Sequence, residues 1–129
     1  MKLARFSLGL TAIAFALFGV LFISAPRTLE NVGAMLLSPS ARVEIRGFYG
    51  GMELGLGVFF ALCAMRPSWY PVGLTAQALS LGGVVVGRLV GAIVDGPPSA
   101  TILFFWVLET LATVLAVVAL KRLDRTERV

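Results

Sequence analysis

The sequence contains no histidine and a single cysteine, and only 14% of its 129 residues are charged. One cysteine allows no internal disulfide. Without histidine, the chain offers no Cys/His zinc site, no histidine-ligated haem and no histidine general base. Soluble domains carry about 25% charged residues. The shortage of charge, together with 58% hydrophobic residues, excludes an ordinary water-soluble domain and indicates a protein of the lipid bilayer.

Four hydrophobic stretches are long enough to cross a bilayer as helices, which takes about 20 apolar residues. Breaks that contain proline separate them, such as Ala25-Pro26-Arg27 and Arg66-Pro67-Ser68. Uninterrupted apolar runs of this length are typical of helices rather than of alternating strands. We therefore predict one all-α integral membrane domain over residues 1–129. It is a four-transmembrane-helix bundle with spans at about 6–25, 40–65, 71–94 and 100–120.

The first span has an alternative interpretation as a secretory signal peptide, because Lys2 and Arg5 precede its apolar run. The run is long for a signal core, however, and Ile23 is larger than the residue that usually stands before a cleavage site. Pro26 would also follow the cut. We therefore expect this span to be a retained helix.

The basic residues predict the orientation of the bundle. Four spans place both termini and the loop at Arg66 on one side. That side carries seven Lys and Arg residues, whereas the other carries three. The seven are Lys2, Arg5, Arg66, Lys121, Arg122, Arg125 and Arg128. The positive-inside rule then places both termini in the cytoplasm. The excess of cations favours attraction to anionic membrane lipid over nucleic-acid binding, because the basic C-terminal tail also contains acidic residues.

The 22 residues from Pro26 to Gly47 form the longest connection. Its apolar residues recur at helical spacing after Thr28, which is placed as an N-cap, so we predict a short interfacial helix between helices one and two. Ser38-Pro39 is typical of an N-cap followed by proline at the first helical position. The second helix is therefore expected to begin near Pro39.

Glycines recur every four residues on two of the predicted helices. Helix two carries Gly47, Gly51 and Gly55, and helix three carries Gly83, Gly87 and Gly91. Small residues at this spacing let helix backbones approach closely in lipid. We favour packing of helix two on helix three, since both faces belong to one chain. The alternative is a dimerisation seam or room for a ligand.

Three charged residues fall within the spans, namely Glu53, Arg88 and Glu109. A charge at the centre of a membrane helix costs about 2.5–3.5 kcal/mol, so the three are expected to face one another. At about 1.5 Å per residue, Glu53 and Arg88 each lie about 10 Å below the outer face and Glu109 lies about 15 Å below it. The spacing therefore predicts an intramembrane polar network in the outer leaflet.

Residues at the outer rim extend this predicted network. Arg46 lies seven residues before Glu53, and Asp95 lies seven residues after Arg88, so each pair shares a helix face. Tyr49 lies one turn before Glu53 and is placed to donate its hydroxyl. The three inner charges leave one excess negative charge if all are ionised. Either one carboxyl is protonated, or a further cation or a ligand balances the excess.

The run from Glu44 to Gly57 (EIRGFYGGMELGLG), with Gly87-Arg88-Leu89, Asp95-Gly96 and Leu108-Glu109, resembles a family of small bacterial four-helix membrane proteins. That family is classed as a domain of unknown function and is similar to the DoxX-like group. The resemblance spans most of the chain from Arg42 to Leu120. It implies a four-helix bundle in the bacterial cytoplasmic membrane, in which the charged residues above are family features, and it implies no activity.

Two classes of function follow from these features. The first is a small non-enzymatic accessory or scaffold subunit of a larger membrane complex or of a homo-oligomer. The glycine faces are the feature that suggests it. The alternative is a binding protein, transporter or isomerase for a lipid-phase ligand, or a proton-coupled protein, using the Glu/Arg/Glu cluster. The cluster is equally compatible with a structural clamp. No phosphate loop, nucleotide motif or metal-ligand spacing occurs, so we predict no catalytic residue, metal or cofactor.

Overall fold

The computed structural model describes residues 1–127, and it describes side chains as far as Asp124. The chain forms four long helices, all of them long and apolar enough to cross a membrane. We label them α1 (Lys2–Ser24), α2 (Pro39–Met65), α3 (Tyr70–Asp95) and α4 (Ala100–Glu127). The predicted all-helical architecture with four long apolar helices is therefore confirmed. Arg128, one of the cations used to predict the orientation, lies outside the described residues.

Helix α2 begins as its sequence predicts and then changes its winding. The side-chain oxygen of Ser38 accepts a hydrogen bond from the backbone N–H of Ala41 at 3.1 Å, and Pro39 occupies the first helical position. The helix is α-helical over Pro39–Glu44, widens to a π-helix over Ile45–Gly51, and is α-helical again over Met52–Met65. The widened segment ends two residues before Glu53. Such segments occur often at functional sites.

The connection before α2 differs from the predicted helix. A 3₁₀ helix spans Pro26–Val32 and ends at Gly33, whose φ of 93° is in the left-handed region that favours glycine. The residue at the N-cap position is Ala25, so the predicted N-cap at Thr28 is wrong. Thr28 lies inside the helix, where its hydroxyl donates to the carbonyl of Ala25 at 2.6 Å. Proline at the first helical position begins the helix earlier, because its φ is already helical.

The helices also extend beyond the predicted spans. Helix α4 continues to Glu127, seven residues past the predicted end at 120, because the residues after Leu120 are mostly good helix formers, Arg above all, and include no proline or glycine. Helix α1 begins at Lys2 instead of Phe6 for a similar reason. Hydropathy measures the apolar length of a segment, whereas the helix ends where capping or a breaker ends it.

The closest helix pair is α1 with α2, and glycines on both helices bring the backbones together. A Cβ atom built on Gly19 would lie 2.5 Å from the backbone nitrogen of Leu54, and one built on Gly57 would lie 2.8 Å from that of Ala16. Gly50 is enclosed in the same way by Ile23, at 2.6 Å from its Cγ1 atom. No side chain fits at these positions, so the α1–α2 packing depends on glycine.

Helices α3 and α4 form the second closely packed pair, and the core lies between the two pairs in the half of the bundle that contains the termini. We call this half the terminal half and the opposite half the distal half. Fully buried side chains of the terminal half include Phe60 of α2, Leu74 of α3 and Leu8 of α1. Smaller ones fill the remaining helix contacts, namely Ala4, Cys63, Ala116 and Ala119.

Candidate intramembrane polar site

Arg88 joins α3 to α4 in the distal half. Its guanidinium forms an ion pair with Glu109 at 2.8 Å and also donates to the backbone carbonyl of Ile102 at 3.2 Å. The side chains of Arg88 and Glu109 are 25% and 21% exposed, so both are mostly enclosed by the protein. Hydrogen bonds to two different turns of α4 hold the guanidinium in a fixed orientation. The pair therefore sets the register between the two helices.

Glu53 of α2 lies near this pair without joining it. The electrostatic interaction between its carboxylate and that of Glu109 is repulsive, because both are negative when ionised. One oxygen of each carboxylate, Oε2 of Glu53 and Oε2 of Glu109, is enclosed by the protein and has no hydrogen-bond partner among the residues with described side chains. An enclosed charged group without a partner is unfavourable by several kcal/mol in general. The site therefore has acceptors for a hydrogen-bond donor or a cation.

Aromatic rings lie one helical turn further from the termini than these carboxylates. Phe105 precedes Glu109 by four residues and contacts Phe18 of α1 edge to face at 5.5 Å between ring centroids. Tyr49 precedes Glu53 by four residues, and its ring lies 6.1 Å from that of Phe22. Rings on α1, α2 and α4 thus lie on the distal side of the carboxylates. They lower the local polarity, which strengthens any electrostatic interaction made there.

The predicted rim residues lie apart from the three inner charges. The guanidinium of Arg46 donates to the backbone carbonyls of Ile23 and Ser24 at the C-terminal end of α1, with the Ser24 contact at 3.4 Å. Asp95 is exposed at the last residue of α3. Tyr49 packs its ring against phenylalanines. In the part of the chain with described side chains, no hydrogen bond or ion pair links these rim residues to the inner charges.

Arg46 instead caps a helix, and the reason is physical. The last four carbonyls of a helix have no partner within it, and they carry the negative end of the helix dipole. A guanidinium is suited to that position because it offers several donors and a full positive charge. A spacing of seven residues would place Arg46 on the same face as Glu53 in a regular α-helix. The π-helical segment between them has more residues per turn, so the two side chains no longer share a face.

The two glycine stripes do not form the contact between α2 and α3 that their spacing favoured. A Cβ atom built on Gly47, Gly55, Gly83, Gly87 or Gly91 would have no atom of the described residues within 4 Å, apart from its chain neighbours and the adjacent backbone of its own helix. One built on Gly51 would meet only a carbonyl of its own helix, that of Arg46, at 3.7 Å. Helix α2 turns a different set of glycines toward α1, and that contact takes the place of the predicted one. The stripes are left open.

A comparison of the sequence with known protein families matches residues 3–120, which include α2 and α3 in full, most of α1 and α4, and the three inner charges. The chain belongs to the family described as a domain of unknown function (DUF4345). No curated protein and no solved structure matches the chain. The match confirms the expected membership of a family classed as a domain of unknown function.

A second polar layer, in the terminal half, is absent from the sequence-based prediction. The amide nitrogen of Gln77 on α3 donates to the hydroxyl of Ser7 on α1 at 3.0 Å and to the carbonyl of Ala112 on α4 at 3.2 Å. The Ser7 hydroxyl donates back to the amide oxygen at 3.1 Å. Gln77 and Ser7 are both fully buried. Gln77 lies eleven residues before Arg88, which is about three helical turns, so the two residues share a face of α3. That shared face is the sequence feature that could have pointed to Gln77.

Proposed function

We propose that this protein is a small, non-enzymatic, multi-pass membrane protein that acts as an accessory or scaffold subunit of a membrane assembly. The observation that carries the proposal is the pair of open glycine stripes on α2 and α3. Small-xxx-small stripes drive helix association in lipid, because burial of apolar surface offers no advantage there. The stripes have no partner helix within the described chain. A helix of another subunit, or of a second copy, is the partner that their spacing fits.

The exposure of the two C-terminal helices supports the same proposal. Each helix contains an apolar stretch of 18 residues that is long enough to cross a membrane. In α3 and in α4, 11% of that stretch is buried, compared with 33% in α1. Their large apolar side chains, such as Leu89 and Phe104, face outward. Lipid covers such a surface in any membrane protein, but lipid alone gives no reason for a row of glycines on it.

The membrane and the orientation form part of this proposal. We infer that the protein lies in the bacterial cytoplasmic membrane with both termini in the cytoplasm, as a relative of the DoxX-like group. The support for the orientation is the excess of Lys and Arg beside the termini. The support for the relationship is the run of glycine, glutamate and arginine residues around Glu53.

The proposal is tested by filling each stripe with one large side chain. Gly55→Leu and Gly87→Leu add a side chain where the chain itself has no atom in the way, so each variant should fold. Each variant should reduce the fraction of the protein that is found in a complex after gentle solubilisation of native membranes. Native mass spectrometry of the eluted protein measures that fraction. Gly9→Leu is the matched control, because Gly9 on α1 is equally open and belongs to neither stripe. A wild-type protein that elutes as a lone monomer, or an equal loss in the control, would contradict the proposal.

A second candidate function is the binding of a lipid-phase ligand at the polar site, as in a binding protein, transporter or isomerase. The specific observation is the pair of enclosed carboxylate oxygens on Glu53 and Glu109 that have no donor. A ligand with an ammonium group or several hydrogen-bond donors would supply what they lack. Dodecylamine and dodecanol are suitable probes because they share a chain and differ in charge. Dodecylamine alone should raise the melting temperature of the wild type, and Glu53→Gln should remove that effect. Equal shifts with the two probes would exclude this candidate.

A further inference from the structure

The N-terminal end of α1 and the C-terminal part of α4 border an open cavity at the surface of the terminal half. Its volume is about 510 Å³, within the range of roughly 300–1,000 Å³ that is typical of ligand sites. Ala4 and Ala119 line it where the two helices meet, and both are 1% exposed. Small side chains at this contact leave the space open. We call this cavity the terminal groove.

The other lining residues make the terminal groove amphipathic. Leu3 and Leu123 are half-buried and provide apolar walls, whereas Lys2 and Arg122 are exposed and provide two positive charges, one from each helix. Helix α1 also begins here, and its first turn contains no acidic residue. The positive end of its dipole therefore adds to the field of the two cations. An anionic group with an attached apolar portion matches such a lining.

The charge distribution of the whole chain favours an anion at this end. The charged residues on the side of the termini and the Arg66 loop sum to +5, whereas those on the opposite side sum to zero. A bilayer leaflet that contains anionic lipid attracts clustered cations. The binding free energy is on the order of 1 kcal/mol for each Lys or Arg near the surface. The groove lies at the ends of the spans Lys2–Ser24 and Ala100–Asp124, which is the depth of lipid headgroups.

We propose that the terminal groove binds one anionic phospholipid, whose phosphate lies between Lys2 and Arg122. The arginine guanidinium offers paired donors that match phosphate oxygens, and the lysine ammonium contributes a point charge. The glycerol backbone and the first methylenes of the acyl chains lie against Leu3 and Leu123. This site is independent of the glycine stripes and of the Glu53 site, since it lies at the opposite end of the bundle from the latter.

Native mass spectrometry of the delipidated full-length protein tests the site, with phosphatidylglycerol and phosphatidylcholine as the two probes. The wild type should retain one phosphatidylglycerol in preference to phosphatidylcholine. The double variant Lys2→Gln/Arg122→Gln should bind phosphatidylglycerol at least about tenfold more weakly, because both phosphate contacts are lost. Lys2→Arg/Arg122→Lys keeps the charges and should restore most of the affinity.

The matched control is Arg5→Gln/Lys121→Gln, which removes the same charge from the same two helices at residues outside the groove lining. This control should change the affinity for phosphatidylglycerol by less than about twofold. An equal loss in the control would show diffuse attraction and overturn the site, as would equal retention of the two lipids. Inorganic phosphate in millimolar excess should not displace the lipid. Complete displacement would show that the groove recognises phosphate alone and would also overturn the proposal.

Discussion

The bundle contains two polar layers about 16 Å apart along α3, and they differ in how far their hydrogen bonds are satisfied. In the terminal half, Gln77 bonds to Ser7 and to a carbonyl of α4 within a fully buried, close-packed core. In the distal half, Arg88 pairs with Glu109, yet both glutamates keep an enclosed oxygen without a donor. The hydrogen bonds of the first layer are complete within the described residues, whereas those of the second layer are not.

This difference indicates what each layer does. A fully satisfied polar network inside a membrane protein fixes the helix register and needs nothing further. An excess carboxylate at membrane depth is unfavourable and is kept only where something else compensates it. The structural role therefore fits the Gln77 layer in full. It fits the Glu53 layer only in the Arg88–Glu109 pair, since Glu53 keeps an enclosed oxygen without a partner among the described residues.

Removal of Arg88 should have the largest effect, because it leaves two glutamates near each other with no cation. Arg88→Met should lower the free energy of unfolding by about 3 kcal/mol or more, as for a broken buried ion pair. Unfolding in mixed detergent followed by circular dichroism measures this change. Arg27→Met, at an exposed residue of the connection before α2, should change stability by less than about 0.5 kcal/mol. A loss of stability below about 1 kcal/mol for Arg88→Met would show that a group other than Arg88 compensates the charges of the two glutamates.

Disruption of the satisfied layer should have an intermediate effect. Gln77→Leu keeps the volume but removes both of the bonds that Gln77 donates, and it should lower stability by about 1–2 kcal/mol, since a hydrogen bond in a membrane protein contributes about 0.6 and at most about 1.7 kcal/mol. Ser7→Ala should cost about 0.6 kcal/mol. The double variant should lose less than the sum, because the two residues share a bond. Strict additivity in the same unfolding assay would show that the layer is not coupled.

The only gain in stability among these variants is expected at Glu53. Glu53→Gln removes the excess negative charge and supplies an amide donor near Glu109, so it should raise stability by about 1 kcal/mol. Glu109→Gln is the same substitution within the ion pair, and it should instead lower stability by about 2 kcal/mol, because Arg88 then loses its charged partner. The two variants measured side by side isolate the role of the pairing. A loss of stability for Glu53→Gln would show that its charge is compensated inside the chain.

Hydropathy and local signals in the sequence were sufficient for the helices. Apolar length predicted the four long helices, and Ser38-Pro39 predicted the start of α2. Helix ends were predicted less well, because α4 continues through a polar tail that hydropathy does not count. The 3₁₀ helix after α1 was predicted as a helix but with the wrong N-cap. Local chemistry thus determines where helices form and, less closely, where they stop.

The glycines show where such prediction fails. Spacing of four residues identified Gly47, Gly51 and Gly55 on α2, but the glycines that α1 actually contacts are Gly50 and Gly57. Spacing describes a face of one helix and says nothing about which neighbour lies against it. The π-helical segment changes the phase of α2 between these glycines, and a single sequence gives no sign of it.

Composition and periodicity by themselves determined that the protein has four long apolar helices, that three charges lie within their apolar spans and that the cations gather at the end with the termini. These properties are one-dimensional, since they depend on the length and order of residues along the chain. Only the tertiary structure decided that Arg88 pairs with Glu109, that Arg46 caps α1, and that the glycine stripes stay open. The reason is that partner choice depends on which helix faces meet, and that is set by packing across the whole bundle.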